Sequence, residues 1–180
     1  ATPARLSGEE TQPYITGGVK SQGKFSFRYG RAEARLFTHP HRGNFPAFWM
    51  MPQDNSKGWP NAGEIDIWEQ INEENVSYHT LHSHWTYDLK HKSDPTSAVQ
   101  GRNIDYTCYH TFAVEWTPTL ITWYVDGEKV GSAPKSTNAD ALANGQWPYT
   151  APFYLILNQS VGDGSWAGHP DPAFVYETRF

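Results

Sequence analysis

The sequence predicts an all-β domain, a β-jelly-roll sandwich of two antiparallel sheets with one concave, grooved face, and three observations carry that expectation. Gly and Pro punctuate the chain at short intervals, from Gly17-Gly18 and Gly23 through Pro40, Pro46, Pro52, Pro60 and Gly63 to Pro118 and Asp126-Gly127, so long helices have no room. Between these breaks lie short segments rich in β-branched and aromatic residues. Aromatic residues make up 15% of the chain (Trp 8, Tyr 10, Phe 9) against 18% charged, a surplus that fills the space between stacked sheets and leaves rings over for flat ligand faces.

Strand character is expected at 24–29, 32–37, 47–51, 64–69, 80–85, 111–116, 120–125 and 153–158, with 175–180 reading as a further strand. The run from Leu120 to Val130 is the clearest hairpin, because Asp126-Gly127 tolerates the positive φ angles of a tight turn. Residues 138–143 are the one helical candidate. Segments 86–106 and 131–150 read as long polar loops, where a rigid β scaffold usually carries specificity. At 180 residues the chain is expected to form one domain, 1–180, with no repeat or linker.

The run Glu64-Ile65-Asp66-Ile67-Trp68-Glu69 sets three carboxylates inside an apolar strand. Burying a carboxylate is costly unless it is paired or protonated, so such a cluster marks a site of tuned ionisation. Strict alternation puts Glu64 and Asp66 on one face and Glu69 on the other. One β-bulge near Ile67-Trp68 brings Glu69 back to the acid face. The ends of the run are then four steps apart, about 13 Å, and converging side chains can reach the roughly 5–5.5 Å separation of a retaining glycosidase pair. In that reading Glu64 is the nucleophile, Glu69 the general acid and then base, and Asp66 the group that helps push their pKa values apart. A solvated edge strand is the plain alternative, but it has no reason to interleave Trp68 and two isoleucines among its acids.

The formal net charge of −5 argues against nucleic acid and against heavily sulfated polymers as partners, and leaves a neutral polysaccharide as the better fit. The single Cys108 excludes an intramolecular disulfide. No apolar run approaches the ~18 residues of a membrane span, and the amino terminus lacks a basic-then-apolar signal pattern. A soluble monomer is expected, secreted or held at the cell surface or in the periplasm.

The acid run resembles the signature of glycoside hydrolase family 16, and similarity extends along the chain. Residues 23–35 are similar to the strand pair that precedes the site in that family. Phe45-Pro46-Ala47-Phe48-Trp49-Met50, Trp59-Pro60-Asn61-Ala62-Gly63, Thr80-Leu81-His82, the stretch 109–116, Trp123-Tyr124-Val125-Asp126-Gly127 and Tyr154-Leu155-Ile156-Leu157-Asn158 resemble its recurring segments, over roughly residues 14–172. The resemblance implies a jelly roll, a retaining endo-acting mechanism and β-glucan or galactan substrates. The five-residue offset of Glu64 and Glu69 is similar to the bulged form of laminarinase-like and agarase-like members, which points to β-1,3- or mixed β-1,3/1,4-glucan, with agar, porphyran and carrageenan as the competing galactans. Members are generally longer at both ends, so the terminal strands look clipped. The structural calcium that many members carry draws on those ends and is not assigned here. No catalytic cofactor is expected.

His79, His82, His84 and His91 invite a metal reading, but no third ligand stands at convincing spacing and there is no HExxH, so no metal is expected. His82 reads as a hydrogen-bonding groove residue, and His110 either as a partner of the acid strand or as a satisfied core histidine. Asn44, Trp49, Trp59, Trp123, Asn158 and Trp166 are candidate sugar contacts. Trp59 leads them, in a Gly/Pro-rich loop five residues before Glu64; Trp49 and Trp123 could equally be packing residues. Arg31 and Arg35 either pair with acids or border the cleft. Besides the retaining endo-glucanase, two other functions fit this scaffold: a transglycosylase, and a non-catalytic β-glucan-binding lectin, which needs no acid triad.

Overall fold

A computed structural model describes residues 2–5 and 11–180 of the chain. Two antiparallel sheets stack on one another. The six-stranded sheet runs, edge to edge, β3 (Gly17–Lys20), β12 (Phe153–Val161), β5 (Asn44–Pro52), β6 (Glu64–Glu69), β7 (Val76–His82) and β8 (Ala98–Arg102). The five-stranded sheet runs β11 (Glu128–Pro134), β10 (Leu120–Val125), β9 (His110–Trp116), β4 (Gly30–Thr38) and β13 (Thr178–Arg179). Strands β1 (Thr2–Arg5) and β2 (Thr11–Ile15) pair as a separate ribbon. This is the jelly roll that turn spacing and aromatic content predict.

The inner faces meet in an aromatic core. Trp68, Trp116, Trp123, Tyr149, Phe48, Phe112 and Phe153 are fully enclosed there with Leu36, Met50, Ile65, Ile67 and Ile121. Each enclosed side chain of this size contributes roughly 2–3 kcal/mol of transfer free energy. The indoles also bring an N–H that must be satisfied: Trp68 donates to the Tyr106 hydroxyl (3.0 Å) and Trp116 to the Tyr149 carbonyl (3.1 Å). The acid strand β6 lies in the middle of its sheet between β5 and β7, so core packing fixes its position from below.

The Asp126-Gly127 hairpin forms as expected, with φ of 51° and 83° at the two turn residues. The helix is α1 (Ala139–Ala143), and the Asn138 side chain accepts from the backbone N–H groups of Asp140 and Ala141 at its start. Five local expectations fail: the loop expected from 131 first carries β11 to Pro134, the strand expected at 175–180 forms only over Thr178–Arg179, and three more concern the segments that follow. Segment 24–29 is no strand: Phe27 makes one backbone bridge to Phe153, and Tyr29 turns to φ 64° before Gly30 opens β4. The strand expected at 80–85 ends at His82, because Ser83 caps a π-type turn over His84–Asp88. The "loop" 86–106 contains β8, which lies so close to β7 that a Cβ on Gly101 would meet the Ser77 Oγ at 2.3 Å. Only glycine permits that approach.

Candidate active site

The pairing of β6 slips on both sides at one residue. On β5 the partners run Phe48 with Trp68 and then Trp49 with Asp66, and on β7 they run Asp66 with Thr80 and then Glu69 with Tyr78. Ile67 is the extra residue of a β-bulge, where the sequence places one. A bulge leaves ladder groups unpaired, and core side chains take them up here. The Trp123 indole N–H donates to the Asp66 carbonyl (2.9 Å), and buried His79 donates from Nδ1 to the Ile67 carbonyl (2.6 Å). Burial holds the His79 pKa down at about 4, which keeps the ring neutral, and its Nε2 accepts from Ser77 Oγ at 2.9 Å.

The bulge turns Ile65, Ile67 and Trp68 into the core and sets Glu64, Asp66 and Glu69 on the groove floor, where they line one cleft of about 230 Å³ with Trp49 and Asn158. Directly across β7, His82 Nε2 stands 3.1 Å from Asp66 Oδ2 and 4.0 Å from Glu64 Oε1. The Trp59 indole donates to Glu64 Oε2 at 2.7 Å. Asp66 is almost wholly buried, and its Oδ2 has no hydrogen-bond donor, since the close His82 contact lies off hydrogen-bond geometry.

All three carboxyls are pushed up from their ordinary range, first by burial. Glu64 rises to about 8, with Asp66 adding to the burial effect while His82 and the Trp59 N–H pull back. Asp66 rises to about 7 through burial, and Glu69 rises well above the usual range through burial and then the charges of Asp66 and Glu64. Their protons are therefore held by the cluster as a unit. Of the three, Glu64 alone receives a direct N–H donor, which steadies its anion, whereas Glu69 has no such donor and is raised well above its ordinary range by burial and by the charges of its neighbours. That is the division of labour a nucleophile and a general acid require.

Raised carboxyl pKa values also fix a sign for stability. A group whose folded pKa exceeds its unfolded one stabilises the fold fully below the unfolded value and loses that contribution as pH rises through the folded value. For Asp66 the window runs from about 3.8 to about 7. Asp66→Asn should therefore match the parent's Tm near pH 4 and exceed it above pH 8. At ~1.36 kcal/mol per pH unit, reduced by relaxation, the gain should be on the order of 2 kcal/mol, or roughly 4–8 °C. A thermal melt series from pH 4 to 9 measures it, and an equal or lower Tm at pH 9 rules out this reading of Asp66.

The groove continues on both sides of the acids. Toward β7 and β8 a cleft of about 600 Å³ is lined by Glu64, Glu69, Phe45, Thr80, His82, Tyr87, Lys92 and Trp166 among others. Trp59, 42% exposed, packs edge-on against Tyr87 with ring centroids 4.4 Å apart, and Trp166, 49% exposed, packs edge-on against Phe45 and Tyr78. On the β5 side Trp49 donates to Asn158 Oδ1 (2.7 Å), and Asn158 donates to Ser160 Oγ (2.9 Å). The structure thus brings Glu64, Asp66, Glu69, Trp49, Trp59, His82, Asn158 and Trp166 to one groove.

Three candidates lie elsewhere. Asn44 is fully buried in an amide network: it donates to Thr38 Oγ1 (3.1 Å) and Gln70 Oε1 (2.6 Å) and accepts from Gln159 Nε2 (2.9 Å), so it ties strands together and meets no ligand. Trp123 is fully enclosed and acts beneath the floor by holding the bulge. His110 is no partner of the acid strand; it sits in β9 of the other sheet, with its ring nitrogens engaged by Asp126 Oδ2 (2.6 Å) and the Asp105 carbonyl (2.8 Å). The histidine group does not converge either. His79 is core, His84 pairs with Asp88 (2.7 Å) and His91 stacks on Trp85. Arg31 pairs with Glu33 and Glu115 on the outer sheet. Tyr87 and Lys92 were not legible as site residues, since they fall in a segment without strand periodicity.

A jelly roll whose groove is floored by three protonatable carboxyls and walled by exposed indoles is a carbohydrate-active architecture. The chain belongs to glycosyl hydrolases family 16, whose profile matches residues 5–175. Among curated relatives, a keratan-sulfate endo-1,4-beta-galactosidase of Sphingobacterium multivorum is 40% identical over 86% of this chain, and a beta-glucanase of Rhodothermus marinus is 35% identical over 92%. The chain spans 36% and 58% of those relatives' lengths. The laminarinase catalytic domain from Thermotoga maritima superimposes with a TM-score of 0.80 at 29% identity, covering 98% of this chain and 71% of that one.

Proposed function

We propose that the protein is a retaining, endo-acting glycoside hydrolase that cleaves β-1,3- or mixed-linkage β-1,3/1,4-glucan through a covalent glycosyl-enzyme intermediate. The observation that carries this is a pair of clefts, one on the β7 side and one on the β5 side, that share Phe45, Glu64 and Glu69, so an extended chain can lie across the acids and be cut internally. Glu64, steadied by Trp59, attacks the anomeric carbon while Glu69 protonates the leaving oxygen; Glu69 then takes a proton from the water that releases the sugar. Trp59 and Trp166 offer apolar faces to the sugar rings. A polymer substrate supports a location outside the cytoplasm, secreted or at the cell surface or in the periplasm. The glucanase and laminarinase relatives support the glucan reading.

A second substrate reading, an endo-β-galactosidase acting on a galactose-containing polymer, is favoured by the 40% identity to the keratan-sulfate enzyme and by Lys92 in the cleft wall. Product analysis on laminarin, barley mixed-linkage glucan, agarose, carrageenan and keratan sulfate side by side separates them. Oligosaccharides from laminarin or the barley glucan are the expected result. Release of monosaccharide alone overturns endo action, and preference for keratan sulfate or carrageenan replaces glucan with galactan.

A further inference from the structure

Among the described residues one group of His, Cys, Asp or Glu side chains converges closely enough to grip a metal ion: Glu64, Asp66 and His82, each offering one ligand atom, all within 4.8 Å of one another. Its dimensions suit a small cation. A tetrahedral zinc site with bonds of about 2.0–2.1 Å sets its ligands roughly 3.3 Å apart. Here His82 Nε2 lies 3.1 Å from Asp66 Oδ2 and 4.0 Å from Glu64 Oε1, so small rotations of two half-buried side chains complete the geometry. The Asp66 Oδ2 atom supplies an independent observation: it is buried, accepts no hydrogen bond of good geometry and faces His82 Nε2 at 3.1 Å, toward the same point. A buried acceptor left without a donor is costly, and a cation satisfies it.

We propose that Glu64, Asp66 and His82 form a site for a borderline transition-metal cation, Zn²⁺ or Cu²⁺, and that its occupancy shuts the active centre. One imidazole and two carboxylates match the ligand preference of those ions, whereas Ca²⁺ takes six to eight oxygens and Mg²⁺ an octahedral set. Three protein ligands leave a fourth position facing the groove, open to water. The ion ties up the Glu64 oxygen needed for attack and occupies the space of the reacting sugar, so it competes with substrate. This second half rests on the assignment of Glu64 as nucleophile; the binding half does not.

The test uses the intact chain freed of metal by chelation. Zinc chloride is titrated calorimetrically, cobalt chloride is added as a spectroscopic probe, and initial rates are measured at several polysaccharide and zinc concentrations. Expected are one zinc per chain, visible cobalt absorption of a four-coordinate site, and inhibition competitive with substrate and reversed by chelator. Loss of an outer partner alone weakens metal affinity 10–100-fold, so His82→Gln and Asp66→Asn should each weaken zinc by about 100-fold or more. His84→Gln, in an exposed pair outside the cluster, should bind as the parent does. Circular dichroism verifies that each variant is folded, and Asp66→Asn covers the case in which His82→Gln is not. Unchanged affinity in the folded variants, loss of binding in His84→Gln, or no binding at millimolar zinc overturns the site. Tight binding without inhibition of an active enzyme overturns the shutting role. His82-dependent binding in a protein that cleaves none of the polymers supports the site and overturns the hydrolase reading.

Discussion

Glu64→Gln should lower kcat on polysaccharide by about ten-thousandfold or more while oligosaccharide binding stays within a few-fold of the parent. The amide keeps the size of the side chain and can still meet the Trp59 indole from its carbonyl oxygen, yet it has no anionic oxygen to form the glycosyl ester. Nothing else on the floor can substitute. Asp66 lies almost fully buried beneath the groove surface, and Glu69 is committed to the leaving group. Isothermal titration with a laminari-oligosaccharide separates lost chemistry from lost binding. Glu64→Ala opens space at the same point, so azide should restore turnover and yield a glycosyl azide of inverted configuration. Appreciable activity in a pure Glu64→Gln preparation, or an azide product of retained configuration, would falsify the assignment.

The acid strand was legible because physical chemistry forbids three uncompensated carboxylates among buried isoleucines and Trp68, and because their offset makes sense only with a bulge. The structure puts the extra residue at Ile67 and shows what sequence could not: the bulge is held from below by Trp123 and His79. Trp123 was ambiguous because an indole serves a core or a groove equally well. Its alternation with Ile121 and Val125 was the available signal, since all three share the inner face of β10. His79 offered a similar signal, sitting out of phase with His82 along β7. Asn44 misled for another reason. A polar residue beside a predicted strand reads as a ligand contact, and its burial depends on Thr38, Gln70 and Gln159, which only the fold assembles. Tyr87 was out of reach for the same reason, because its place beside Trp59 depends on the π-type turn that follows β7.

Glu69→Ala should divide substrates by leaving group. Cleavage of polysaccharide needs a proton delivered to a poor leaving oxygen, and its kcat/KM should fall by about a thousandfold, within the 10²–10⁴ range of general acid catalysis. An aryl glycoside whose phenolate leaves unaided should lose far less in the first step, and the glycosyl-enzyme should then accumulate because no base activates water. Azide needs no base, so it should speed release and give a product of retained configuration, opposite to that of Glu64→Ala. The pH profile adds an independent check. In the parent, activity should rise as the cluster gives up its first proton and fall as Glu69 loses its own. Burial and neighbouring charges raise both events, so both limbs should lie above the ordinary carboxylate range. Removing Glu69 should abolish the alkaline limb on the aryl substrate and leave an acid limb from the Glu64 and Asp66 pair. Equal losses on both substrate types, or an alkaline limb that survives in Glu69→Ala, would move the acid role to another residue.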